Sequence, residues 1–229
     1  MKKKILIVSV SAGSGHVQVA RAVEQTAQKN YPDCEVQHID MMDYVSAPVK
    51  TAIVDVYEVV IRTAPSVWGY FYSTIDNQKQ IERLSSIIKK VNNLNAKKFF
   101  QLLKKYNPDH VICTHSFPDI KIKNCRDRDI SEIPVSLILT DYGVHSYWVM
   151  PNIEQYFVAT QKMAWELQRK LPAGDSAQVW VSGIPVRPIF YKQKGKKKLR
   201  KKYGIHADAT CVLLLSGGQG MVDLKDIIK

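Results

Sequence analysis

The stretch Ser9–Val23 reads "SVSAGSGHVQVARAV". Gly13 and Gly15 precede His16, where a helix is expected to start. Glycines at a strand-to-helix turn let the backbone bend tightly and approach a ligand closely. The free amides of the helix then offer donors, and the positive end of a dipole, to an anion or to developing negative charge. That position disfavours an imidazolium, so the His16 ring should be neutral and able to accept a proton. A neutral imidazole at a cleft suits general-base work. A first-turn histidine that only caps or packs is the plainer reading of the same residues. The dinucleotide fingerprint G-x-G-x-x-G is not met, because Gln18 holds its third place.

Three other segments place polar groups after apolar runs. "ICTHSFPDI" carries Thr114, His115 and Pro118; "LILTDYGVHSYWV" carries Thr140, Asp141, His145 and Trp148; "VSGIPVRPIF" carries Gly183, Pro185 and Arg187. Taken singly, Asp141 reads as a helix cap and His145 as a satisfied core histidine. In open parallel sheets, however, ligands sit beyond the carboxyl ends of the strands. Together with His16, these groups point to one cleft.

A shared cleft needs strands to carry it. Candidate strands are Lys4–Val10, Cys34–Ile39, His110–Thr114, Val135–Thr140, Gln155–Ala159, Val179–Ser182 and Cys211–Leu215. Several are unbroken apolar or β-branched runs, as in a parallel sheet covered on both faces. Helical patterns fall between them at Val17–Gln28, across a long region from about Ala47 to Tyr106, and at Gln161–Arg169. This rhythm predicts an α/β fold with a Rossmann-like, doubly wound parallel sheet. The opening "MKKKILIVSV" has too short an apolar run for a signal peptide and meets the glycine turn at once, so it reads as the first strand.

Of 229 residues, 45% are hydrophobic, enough for a sizeable core, and 33 Lys+Arg against 21 Asp+Glu give a net charge of +12. Such a balance favours an acidic partner: nucleic acid, an anionic membrane surface or a phosphorylated substrate. No nucleic-acid motif accompanies it. Cys34, Cys113, Cys125 and Cys211 form no C-x-x-C pair, so neither zinc nor a disulfide framework is indicated, which fits a reducing cytosol. No stretch approaches the roughly 18 apolar residues of a transmembrane helix.

Composition breaks at "YKQKGKKKLRKKYGI", where eight of the eleven residues from Lys192 to Lys202 are Lys or Arg. After it, "ATCVLLLSGGQGMVDLKDIIK" reads as a new strand, glycine turn and helix. We therefore expect a first domain over 1–190, a basic linker over 191–202, and the start of a second domain over 203–229. The competing expectation packs that last unit onto the first sheet.

In this order, "SAGSGHVQVARAV", "TDYGVHSYWV", "YFVAT" and "SGIPVRPIF" resemble the bacterial processive diacylglycerol glucosyltransferases and the monogalactosyldiacylglycerol synthases. The peptidoglycan glycosyltransferase MurG is similar at a greater distance. The resemblance runs from Lys4 to the end, with "LLLSGGQGM" like the entry to the family's second domain. It implies a GT-B glycosyltransferase: two Rossmann-like domains facing a cleft, the first taking the lipid acceptor at the membrane and the second most of a UDP-sugar. The implied reaction moves glucose from UDP-glucose to diacylglycerol, and then to glucosyl-diacylglycerol, with anomeric inversion. Neither a metal nor another cofactor is implied. By the same resemblance His16 is the base for the acceptor hydroxyl, and Asp141 and His145 belong to a T-D-x-x-x-H motif followed by Trp148. Gly183, Pro185 and Arg187 mark the domain junction, and Gly217, Gly218 and Gly220 cradle the donor phosphates. The family's later glycine-rich and acidic motifs do not occur here, so this chain alone is expected to be inactive.

One stretch agrees with a lipid acceptor on physical grounds. "APVKTAIVDVYEVVIRTAPSVWGYFYSTID" sets Trp68, Tyr70, Phe71 and Tyr72 beside apolar turns, and such rings suit a membrane interface. Nearby lysines (Lys50, Lys79, Lys89, Lys90, Lys97 and Lys98) would be drawn to anionic headgroups. Core packing is the plain alternative for these rings. The resulting expectation is a peripheral protein on the cytoplasmic face of the cell membrane. Two other functions compete. A nucleotide-binding oxidoreductase would use the first glycine turn with Asp40 after the second strand, and a non-catalytic membrane-binding module would rest on charge alone.

Overall fold

A computed structural model of the chain describes residues 2–51, 97–123, 125, 127–150, 152–192 and 195–215. Apolar runs become the strands of one parallel sheet: β1 (Lys3–Ser9), β2 (Cys34–Asp40), β3 (His110–Cys113), β4 (Val135–Ile138), β5 (Gln155–Val158) and β6 (Gln178–Val181). Their order is β2-β1-β3-β4-β5-β6. The expected Rossmann-like α/β architecture is therefore the observed one. β1 pairs β2 from Lys3↔Cys34 to Ser9↔Asp40 and β3 from Ile5↔His110 to Val8↔Cys113. The chain thus reverses its direction of growth across the sheet at β1, the place where open α/β sheets form a crevice at their carboxyl ends.

Both faces of the sheet are covered. Leu6 and Val8 join a core with Val111, Cys113, Leu137, Tyr156 and Val158, closed by Phe99 and Leu103 of helix Lys97–Tyr106 and by Met163 and Leu167 of helix Gln161–Lys170. Ile7 points the other way along the strand and is also fully buried. Helix α1 (Ser14–Asn30) lies against β1 and β2 and buries Val19, Ala20 and Ala22. Burial of each valine, leucine, isoleucine, methionine or phenylalanine side chain in this core contributes about 1.5–3 kcal/mol, which the ordering of the chain largely offsets.

Helix Gln161–Lys170 buries Met163, Ala164 and Leu167, which share one face at helical spacing. Its amino end is capped by Thr160, whose hydroxyl oxygen accepts from the Met163 N–H at 3.3 Å. Its carboxyl end is tied to the next layer: Lys170 Nζ donates to the Val144 carbonyl at 2.6 Å.

One sequence expectation changes. Cys211–Leu215, read as a strand, has no regular structure. Val212, Leu213 and Leu215 are strongly exposed, and no described strand pairs with them. An apolar run becomes a strand only where a neighbour takes its backbone hydrogen bonds. Within the basic run, Lys196–Lys202 forms a short helix, as lysine, leucine and arginine favour. Of the long helical expectation, Ala47–Lys50 and Lys97–Tyr106 are helical. Trp68, Tyr70, Phe71 and Tyr72 lie outside the described residues, as do Gly217, Gly218 and Gly220.

Candidate acceptor site at the carboxyl ends of β1, β3 and β4

The turn after β1 depends on glycine. Gly13, at φ 97° and ψ 149° just before α1, occupies backbone space that side-chain-bearing residues hardly enter. No acidic residue occupies the first turn of α1 and no side chain caps it. At Gly15 an added Cβ would meet no atom within 4 Å. His16 follows, half-buried, in that first turn.

Neighbouring strand ends hold the imidazole. His16 Nδ1 lies 2.7 Å from the Thr114 carbonyl and 2.9 Å from the Thr140 hydroxyl. A carbonyl can only accept, so Nδ1 carries the proton and Nε2 keeps its lone pair. The Thr114 hydroxyl donates in turn to the His16 carbonyl at 3.1 Å. Thus β3 and β4 both fix the residue that β1 and α1 deliver. Burial lowers the His16 pKa below 6.5, opposed by the bond to Thr114 and by the charge of Asp141. The ring is neutral near pH 7, with burial as the first cause and not the helix end that the sequence pointed to.

His115 packs edge-on against His16, with ring centres 4.8 Å apart at 72°. Its Nδ1 accepts from the Phe117 N–H at 3.0 Å, so its own proton sits on Nε2. Burial, with a smaller push from His16, takes its pKa down to about 3. Trp148, expected to line the cleft, is fully buried. Its ring stands 6.2 Å from His16 and 6.1 Å from His115, so it backs the two imidazoles instead of offering surface of its own.

The loop from Thr140 to Met150 carries the remaining groups. Asp141 Oδ2 accepts from the Tyr147 hydroxyl at 3.1 Å. His145 stacks on Tyr147 at 5.7 Å with nearly parallel rings, and Tyr147 leans on Trp148 at 5.1 Å. The loop is pinned at two points: near its middle by Lys170 on Val144, and at its end by Tyr156, whose hydroxyl donates to the Met150 carbonyl at 2.8 Å. Tyr147 was not singled out in the sequence, although it stands inside the "TDYGVHSYWV" segment. An amphipathic ring beside an acid and a histidine was the only available signal.

The "SGIPVRP" segment forms a separate group. Gly183 adopts φ 74°, and Arg187 starts the turn Pro188–Tyr191, which lies against α1. The guanidinium sits 5.5 Å over the Phe190 ring, and Arg187 Nε is buried without a hydrogen-bond partner among the described residues. No described hydrogen bond or ring contact joins Arg187 to His16. Asp40, the acid that a dinucleotide reading needs, accepts through Oδ1 from the Met42 N–H at 2.9 Å and the Ser11 N–H at 3.2 Å.

Among the described residues no cluster of three or more His, Cys, Asp or Glu could hold a metal ion. None of the described helices is long and apolar enough to cross a membrane.

The profile of the monogalactosyldiacylglycerol (MGDG) synthase family matches residues 16–186. A processive diacylglycerol beta-glucosyltransferase of Bacillus pumilus is 29% identical over 227 residues, covering 96% of this chain and 55% of that protein. Proteins of the same name from Bacillus licheniformis and Bacillus subtilis are 30% and 28% identical, each over 96% of this chain and 55% of their own length. The chain therefore spans about half the length of the curated relatives it matches.

Proposed function

The chain belongs to the MGDG synthase family, and we propose that it supplies the lipid-acceptor half of an inverting glycosyltransferase that moves glucose from UDP-glucose to diacylglycerol. The single observation that carries this reading is the His16 tautomer, set by the 2.7 Å bond from Nδ1 to the Thr114 carbonyl. A lone pair on Nε2 is what a base for an alcohol needs.

In the proposed step the acceptor hydroxyl donates to His16 Nε2. Its oxygen attacks the anomeric carbon as the proton moves to Nε2, and UDP leaves with the electron pair of the broken bond. The products are the glucosyl lipid and UDP, with one proton left on His16. The resulting imidazolium is stabilised by the Thr114 carbonyl and by Asp141, both of which raise the proton affinity of His16. Tyr147 holds Asp141 in place. Glucosyl-diacylglycerol would be accepted in the same way, through a sugar hydroxyl.

The donor-side roles of Gly183, Pro185, Arg187, Gly217, Gly218 and Gly220 are part of this proposal, carried by the family resemblance. A membrane surface is the proposed place of action, on the cytoplasmic face. Support comes from the +12 charge, from exposed Phe190, Tyr191 and Tyr203, and from the basic helix Lys196–Lys202 between them. Rings and lysines in this mixture suit an anionic interface.

The test joins this chain to the downstream half of the Bacillus subtilis relative and measures radiolabelled glucose passing from UDP-glucose to diacylglycerol. His16→Ala should lower turnover by roughly 10²–10⁴, the range for a lost general base. A loss below about threefold would leave His16 as a structural turn residue.

A further inference from the structure

The two adjacent rings present opposite chemistry. His16 holds its proton on Nδ1, against the Thr114 carbonyl, and so shows a lone pair at Nε2. His115 accepts the Phe117 N–H at Nδ1, and so shows an N–H at Nε2. Neither Nε2 has a protein partner among the described residues. Among the described residues the buried side-chain nitrogens without a partner are Trp148 Nε1 and Arg187 Nε, and neither imidazole Nε2 is one of them. One acceptor and one donor thus belong to rings centred 4.8 Å apart and packed edge-on, with Trp148 against both.

We propose that His115 is a specificity-determining residue, whose Nε2–H binds an oxygen on the carbon next to the hydroxyl held by His16. A lone alcohol satisfies only His16. A ligand with two oxygens on adjacent carbons satisfies both rings. Diacylglycerol has that pattern, with an ester oxygen beside its free hydroxyl, and a sugar acceptor has it through its neighbouring hydroxyls. The pair therefore selects polyol-derived acceptors over the simple long-chain alcohols that share the same membrane. This rests on the acceptor-site reading of His16 given above.

The structural alternative is that His115 only caps the helix Ser116–Lys123, since the Phe117 N–H it accepts belongs to that helix's first turn. His115→Ser separates the two roles. A serine hydroxyl can accept the same amide, as serine commonly does at this position, but it has no N–H to reach the ligand. The probes are dioctanoylglycerol and a branched alcohol of matched length with methylenes in place of the ester oxygens, both in the same detergent micelles. Affinity is read on the full chain from the His16 ring signals in histidine-selective NMR, beside thermal melts.

Wild type should prefer dioctanoylglycerol by about two- to tenfold, the range for one neutral hydrogen bond. His115→Ser should bind both probes equally, with unchanged affinity for the branched alcohol. The proposal is overturned if the serine variant keeps the preference, if wild type has none, or if both affinities fall together with the melting temperature. If neither probe moves the His16 signals of wild type, the acceptor-site reading itself fails, and this one with it.

Discussion

Lowering the pH should destabilise this fold through His115, and the size of the effect follows from its surroundings. Burial takes its pKa from 6.5 to about 3, while the unfolded chain keeps the ordinary value. Between those two values the unfolded state binds a proton that the folded state refuses, so stability rises with pH. It is complete above about pH 6.5, falls as pH drops below that, and levels off near pH 3. Each unit is worth about 1.36 kcal/mol. From pH 7.5 down to about pH 4.5 the titrating span is two units, so His115 accounts for about 2.7 kcal/mol of lost stability. Urea unfolding of wild type and His115→Ser at those two pH values isolates this term. His16, His38 and His110 are also held below 6.5, burial being the first cause in each. His38 and His110 cancel in the difference, whereas His16, which touches His115 and lowers its pKa, is followed separately in both proteins by NMR titration. The serine variant should lose about 2–3 kcal/mol less than wild type over the interval. Equal losses would refute the claim that the site keeps this imidazole neutral.

Other outcomes follow from the same contacts. Asp141→Asn should lower the pKa of His16 further, because the Asp141 charge raises it; NMR titration reads this, and an unchanged or higher value contradicts the pairing. Gly13→Ala should lower the unfolding free energy by about 1–3 kcal/mol, since its backbone angles suit glycine alone; a change within about 0.5 kcal/mol would mean that the turn has relaxed. Wild type should sediment with anionic vesicles at low salt. Glutamine at the lysines from Lys192 to Lys202 should remove the salt-sensitive part of that binding, and alanine at Trp68 and Phe71 the salt-resistant part. A wild-type chain left in the supernatant at low salt would end the membrane reading.

Much of the fold was legible because a buried parallel sheet leaves unbroken apolar runs. "KILIVSV" and "VSLILT" announce β1 and β4, and strand ends shifted by only one or two residues. The grouping of the candidate site was legible for a related reason: polar residues that follow such runs lie at the carboxyl ends of strands, where an open parallel sheet forms its crevice. What sequence does not carry is partnership across the sheet. "CVLLL" looks as strand-like as "VSLI", yet among the described residues only the latter lies between pairing strands. Burial of Trp148 was equally hidden, because a ring in a cleft and a ring behind it read alike. Tyr147 escaped notice because its link to Asp141 spans the 3-10 turn of a loop. The opposite tautomers of His16 and His115 depend on which backbone group meets each Nδ1, a matter of geometry and not of residue type.

That pair of tautomers is the core of the account, and histidine-selective nitrogen NMR on the chain near pH 7 measures it directly. His16 should be protonated on Nδ1 with a bare Nε2, His115 protonated on Nε2, and neither ring charged. A proton on His16 Nε2 would contradict it, because His16 would then have no lone pair to offer an acceptor hydroxyl, and an imidazolium at His115 would contradict the neutral donor assigned to that ring.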